Sequence, residues 1–188
     1  MTAGDLEEIL TGPPEEAAPL LLGCHLVSLV GGELVRLRIT EVEAYKGEED
    51  PASHAHRGMT ERNRSMFQRP GTLYVYRSYG IHHCANTSAG PEGTGWGILF
   101  RAGQVIEGEG VARRRRGGRS DLADGPGKVC QALGIVGEHD GTYLLDGTPP
   151  VWLEPGERPG MIVATPRIGI TKARDLPWRF VTAISANA

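Results

Sequence analysis

Short apolar runs, repeatedly broken by glycine and proline, set the pattern along this chain and predict strands and short helices rather than long ones. Residues 5–22 read as one or two short helices, with Pro13-Pro14 between them and Gly23 as a stop. Two strand runs follow, Cys24–Val30 and Glu33–Tyr45, and the Gly31-Gly32 between them is a hairpin signal. Residues 46–60 read as a loop, with Thr60 capping a short helix over 61–66. Pro70-Gly71 marks a turn before strands at Thr72–Arg77 and Ile81–Thr87, joined through Ser78-Tyr79-Gly80. A strand over 97–102 leads into a Gly- and Arg-rich connection at 103–125. Gly125-Pro126-Gly127 then opens a helix at Lys128–Leu133, ended by Gly134. Short strand runs at 150–154, 161–165, 168–171 and 178–184 complete the chain. With no repeat and no dividing linker, residues 1–188 predict one α+β domain built on antiparallel strands.

Composition narrows the class. At 188 residues, 39% hydrophobic and 23% charged, the chain is of ordinary globular type, not disordered. Its longest apolar stretch, Ala17–Leu22, holds Pro19 and is far short of the roughly 20 residues of a membrane span. The acidic start (Asp5, Glu7, Glu8) is not that of a signal peptide. Cys24, Cys84 and Cys130 form no C-x-x-C, which fits a reducing, cytoplasmic setting. The net charge of −3 conceals an uneven distribution, because residues 57–119 carry net +7, with every cation an arginine. Such a local footprint suits a polyanionic partner, since phosphates meet a face and not the average. The Arg113–Arg116 run taken alone reads equally as a solvated or disordered loop.

Alternation along Glu33–Tyr45 puts Val35, Leu37 and Ile39 on one face, and the same face continues as Glu41, Glu43 and Tyr45. Two readings stand: partly desolvated carboxylates fit for base catalysis, or a strand that emerges into water after Ile39. Asp50, His54, His56, His82, His83 and Cys84 invite a metal hydrolase reading, but no ligand motif of the usual spacing is present. Tyr74, Tyr76 and Tyr79 cluster in the segment 71–80; Tyr79, at the turn, suits base stacking or duplex wedging, and a non-catalytic nucleic-acid binding module stays open on this ground.

Ordered matches then point to a family. Ile39-Thr-Glu-Val-Glu-Ala-Tyr45, Asp50-x-x-x-His54, Arg62-Asn-Arg64, Met66-Phe67, Pro70-Gly-Thr-Leu-Tyr-Val-Tyr76, Tyr79-Gly80, Asn86, Leu99-x-Arg101 and Gly125-Pro-x-Lys-x-Cys-Gln-Ala-Leu133 occur in that order. From about Ala17 to Phe180 the chain resembles the alkyladenine (3-methyladenine) DNA glycosylases of the vertebrate type. The resemblance implies a curved antiparallel β core with a protruding hairpin. It implies a monofunctional enzyme of base excision repair, nucleoid-associated if prokaryotic, that flips alkylated or deaminated purines (3-methyladenine, 7-methylguanine, hypoxanthine, ethenoadenine) out of duplex DNA and excises them by water attack. No cofactor, metal, membrane or obligate protein partner is implied, and a monomer is expected.

By that resemblance Glu43 is the general base and Arg101 helps hold the water and a phosphate. Tyr45, His54 and Tyr76 are the aromatic walls around the base, Asn86 crowds the 2-amino group of guanine, and Ile170 lends its backbone to the pocket. Tyr79 fills the space left by the flipped nucleotide beside Ile81, and Arg62, Arg64 and Lys128 are read as DNA contacts. His82-His83, Thr171 and the Arg113–Gly118 run depart from the pattern. A lyase step would need an amine, and of Lys46, Lys128 and Lys172, Lys46 lies three residues from Glu43.

Overall fold

The run of alternating residues that opens at Val35 becomes the strand around which the sheet is built. In this computed structural model, which describes residues 2–183, the strands are β1 His25–Ser28, β2 Val35–Lys46, β3 Leu73–Ser78, β4 His82–Ala89, β5 Trp96–Glu107, β6 Val151–Glu154, β7 Ile162–Thr165 and β8 Arg179–Thr182. All pair antiparallel in one sheet, ordered β3-β4-β5-β2-β1-β6, with β8 joining β2 to β7. One edge of β2 runs along β5; its other edge meets β1 over residues 35–38 and β8 over residues 41–43.

The helices are short. Ala3–Thr11 (α1), capped by Thr2 against Asp5, and Pro14–Ala17 (α2) bury Leu6, Leu10, Ala17 and, just beyond, Leu21 and Leu22 in the main core. Glu109–Arg115 is α3 and Pro126–Leu133 is α4. From α4, Val129, Cys130, Ala132 and Leu133 are buried in the same core, and Gly134 ends it in a left-handed turn, as expected for a helix stop.

Five expectations are corrected. The Gly31-Gly32 hairpin exists, but its connection spans residues 29–34 with a 3-10 turn, because both glycines are left-handed within a longer loop. The 103–125 connection is in its first part the end of β5 and then α3. Arg113–Arg116 is not a free loop: Arg113 pairs with Glu109, Arg114 with Glu33, Arg115 donates to the carbonyls of Val30 and Ala132, and buried Arg116 bonds Asp121 and Gln131. Residues 168–171 are a bend, not a strand, since their backbone groups serve the cleft described below. The strand run expected at 178–184 is β8, and position 184 lies outside the described residues.

The largest correction concerns β2. Val35, Leu37 and Ile39 enter the core, but so do Val42 and Ala44, so the apolar face changes parity midway. The register shows why. Ile39 faces Gly103, Glu41 faces Ala102 and Val42 faces Phe100, leaving Thr40 and Arg101 without opposite partners. These paired irregularities lie where β2 changes neighbour from β1 to β8, and a bulge re-aims the side chains beyond it. Glu41, Glu43 and Tyr45 therefore leave the core face and turn, with Arg101, toward a cleft on the other side of the sheet. Gly103 sits in the irregularity, where a Cβ would lie 2.6 Å from the Arg38 carbonyl oxygen.

Candidate active site

A cleft of about 570 Å³ opens at the ends of β2–β5, lined among others by Tyr45, His54, Tyr76, Asn86, Arg101 and Ile170. Glu43 does not itself line the cleft; it is 0% exposed, behind three lining residues, Tyr45, Arg101 and Ile168, that donate to it. Its Oε2 accepts from the Tyr45 hydroxyl at 2.8 Å and from Arg101 Nη1 at 3.3 Å, and its Oε1 accepts from the Ile168 N–H at 2.8 Å. Three of the roughly four acceptor positions of a carboxylate are thus filled. Arg101 Nε also donates to Glu41 Oε1 at 2.8 Å, and Arg179 Nε reaches the same oxygen at 2.6 Å. Burial disfavours the Arg101 charge, but Glu43 and Glu41 outweigh it and hold the guanidinium above its ordinary value. The site is a fixed chain of alternating charges, Arg179–Glu41–Arg101–Glu43.

The aromatic lining comes from three segments. Tyr74 and Tyr76 share one face of β3, their rings stacked with centroids 5.6 Å apart. His54 meets Tyr76 edge-on at 4.4 Å, and its Nδ1 lies 3.2 Å from the Tyr74 hydroxyl. At that distance His54 and Tyr76 are in contact and form one continuous wall, with no room for a planar ring between them. Burial, and then the Arg62 charge, push the His54 pKa down and favour neutral imidazole. Burial also raises the Tyr45 and Tyr76 hydroxyls far above their usual value, with the Glu43 charge as the next cause for Tyr45 and the Cys84 thiol for Tyr76. Asn86 is buried, and its Nδ2 donates to the Tyr74 carbonyl at 3.2 Å, which fixes the amide in the wall.

Segments distant in sequence are held together by residues that sequence reasoning passed over. Asn63 donates to the carbonyls of His54 (3.0 Å) and Gly58 (3.1 Å), setting the loop that carries the imidazole. Arg167 makes a bidentate pair with Asp50, both side chains fully buried. Asp50 is thereby committed to an arginine, and among the described residues no three His, Cys, Asp or Glu side chains gather as a metal site would require. Tyr74, Cys84, Leu99 and Met66 also line the cleft. Tyr74 could have been found from its shared face with Tyr76; Arg167, a lone arginine in a Pro/Gly-rich stretch, carried no signal.

At the rim the β3–β4 turn places Tyr79 and Gly80 both at positive φ, closed by Ile81 N–H to the Ser78 carbonyl at 3.1 Å. Tyr79 is 92% exposed and Ile81 71%, so the tip offers two uncovered apolar side chains; Tyr79 lines the cleft mouth and Ile81 does not. Arg62 lies at the rim, bonded to the Arg77 carbonyl, while exposed Arg64 pairs with Glu61. Lys128 lines a neighbouring groove with Arg116 and Arg119, its ammonium between Asp121 (2.8 Å) and Asp124 (2.6 Å). Lys46 is bonded to Glu15 and lies over Trp96, away from the cleft, whereas Lys172 lines it.

Residues 8–186 match the family described as methylpurine-DNA glycosylase. The chain belongs to the methylpurine-DNA glycosylase family. The glycosylase is 48% identical to a Corynebacterium efficiens protein over 89% of this chain and 86% of that one. It is 46% identical to a Rhodococcus jostii protein (93% and 80% covered) and 45% identical to one from Nocardia farcinica (96% and 87%). Each of the three is named "Putative 3-methyladenine DNA glycosylase". These relatives are bacterial, so the narrower likeness to vertebrate members is not supported. As a family member the glycosylase is a DNA repair enzyme, a hydrolase of N-glycosyl bonds. Among its described residues no helix is long and apolar enough to cross a membrane.

Proposed function

We propose that this glycosylase excises alkylated and deaminated purines from duplex DNA, with Glu43 as the base that activates the attacking water. What supports the reading is a fully buried carboxylate bonded to Arg101, Tyr45 and the Ile168 N–H, directly behind these lining residues of an aromatic cleft. A damaged purine must leave the stack to be read and cut. Tyr79, exposed at the hairpin tip beside the cleft mouth, fills the gap that the base leaves. The purine lies against the His54–Tyr76 wall and Tyr45. Purine nucleotides alkylated at N3 or N7 are cationic, and a cation on an electron-rich ring gains about 0.5–2 kcal/mol; a neutral His54 adds no repulsion. The amide of Asn86, fixed by Tyr74, crowds the 2-amino group of normal guanine, and the Ile170 backbone closes the pocket.

Glu43 keeps one acceptor position beyond its three donors, and a water taken there loses its proton to the carboxylate as its oxygen bonds to the sugar C1′. Arg101 makes the longest of the three contacts and is the donor that gives room for that water. The glycosidic bond breaks with its electron pair going to the purine, so that a cationic base leaves neutral and a neutral one such as hypoxanthine leaves as an anion that takes a proton from solvent; the Glu43 charge stabilises the oxocarbenium character of the sugar. The products are free base and an abasic site. Incubation with a hypoxanthine-containing duplex followed by alkali tests this. Strand breaks at the lesion, lost in Glu43→Gln, are expected; binding without breaks would leave a non-catalytic module instead.

A further inference from the structure

The Glu43 carboxylate receives one of its three hydrogen bonds from a backbone amide, the Ile168 N–H, carried by a segment with no regular secondary structure. A bend of this kind does not hold an N–H in place by itself. The residue before it supplies the anchor. The Arg167 guanidinium is bidentate to Asp50, donates through Nη1 to the Ala44 carbonyl at 2.9 Å and through Nη2 to the Ala173 carbonyl at 3.4 Å, and lies 4.7 Å from the Tyr45 ring centre. Ala44 is the residue between Glu43 and Tyr45 on β2. Asp50 in turn accepts the N–H groups of Ala52 (3.0 Å) and Lys46 (3.4 Å). One buried cation therefore ties together the end of β2, the loop that leads to His54 and the segment that forms the Ile168–Lys172 wall of the cleft. A planar fork with fixed donor directions can hold these three segments at once, whereas a lysine ammonium cannot.

We propose that Arg167, locked by Asp50, is the positioning residue that aims the Glu43 carboxylate by holding the Ile168 N–H on its Oε1. The proposal rests on the excision reading above, in which Glu43 is the base. Arg167 does not line the cleft; it acts through the backbone it fixes. A displacement of about 1 Å at a reacting group costs on the order of 100-fold in rate.

The test is single-turnover excision of hypoxanthine from duplex DNA at saturating enzyme, which isolates the chemical step. It is run on Arg167→Lys and Ile168→Pro, each in the wild-type and the Glu43→Gln background. Arg167→Lys keeps the charge and loses the fork; Ile168→Pro removes the N–H while keeping both side chains of the buried pair, although it also restricts the Arg167 backbone. Each is expected to slow excision by about 100-fold when Glu43 is present and by less than about threefold when it is already Gln. Equal slowing in both backgrounds, or none in either, overturns the proposal, because a merely structural defect does not depend on which group stands at position 43. Should Arg167→Lys fail to fold, Ile168→Pro decides alone. Wild-type excision by Glu43→Gln would instead remove the assignment of Glu43 as the base on which the proposal rests.

Discussion

Replacing Glu43 by glutamine keeps the shape of the side chain and removes its charge and basicity. The structure sets what else is lost. The amide oxygen still accepts the Ile168 N–H, and the Tyr45 hydroxyl turns to accept from the amide nitrogen. Only Arg101 Nη1, at 3.3 Å, loses its acceptor, and its charge stays paired with Glu41 at 2.8 Å. One charge-assisted bond is worth about 1.5–3 kcal/mol. A destabilisation of about 2 kcal/mol lowers Tm by about 4–8 °C for a domain of this size, which leaves a folded protein at assay temperature. Loss of a general base costs at least about 100-fold in rate, or about 2.7 kcal/mol of transition-state stabilisation. The paired measurements are a thermal melt, fluorescence anisotropy on a lesion duplex, and single-turnover excision at saturating enzyme. The expected variant binds DNA and melts a few degrees lower but cuts at least about 100-fold slower. A folded variant that cuts at the wild-type rate would refute the assignment of Glu43.

Further outcomes follow from individual contacts. Tyr79→Ala leaves the melt unchanged, since the ring is 92% exposed, and weakens binding to a lesion duplex by about 1–3 kcal/mol, some 5- to 150-fold in Kd; unchanged affinity excludes the wedge role. Burial and Arg62 hold the His54 pKa below its ordinary value of about 6.5, so below that pH the unfolded chain binds more protons than the native one and stability falls with falling pH. Melts of wild type and His54→Gln between pH 7.5 and 5 therefore converge toward the acid end if the variant lacks this loss, and stay parallel if the reasoning is wrong. Gly103→Ala sets a methyl 2.6 Å from the Arg38 carbonyl oxygen and 2.3 Å from Leu37 Cδ2; overpacking of about 1–3 kcal/mol lowers Tm, and the displaced irregularity beside Arg101 slows excision. A variant as stable and as fast as wild type would show that the strand tolerates the side chain there.

Much of the secondary structure is local, and the local signals carried it. Proline and glycine at 13–14, 23, 125–127 and 134 mark helix boundaries, and Ser78-Tyr79-Gly80 marks the hairpin, because those residues act through their own φ and their own missing or extra freedom. Alternation and clustering singled out Glu43, Tyr45, His54 and Tyr76, but their roles, and Asn86 and Arg101 altogether, were legible only through ordered motif matches; the structure brings five of the six to one cleft and Glu43 directly behind it. Strict alternation along β2 failed at one step. It put Glu43 on the continuation of the core face, whereas the irregularity at Thr40 puts it on the opposite one. Period-two reasoning has no term for an extra residue in a ladder.

The sequence by itself determined where the chain turns, where most of the strands lie, and that the chain is an α+β member of a glycosylase family. Only the tertiary structure decided which face Glu43 points from and what holds it there. The reason is physical. A bulge depends on the register between β2 and β5, which no single strand contains. The Asp50–Arg167 pair joins residues 117 apart, and its energy exists only once both are stripped of water together. Turns are chosen by neighbours along the chain; a buried charge pair is chosen by what the fold closes over it.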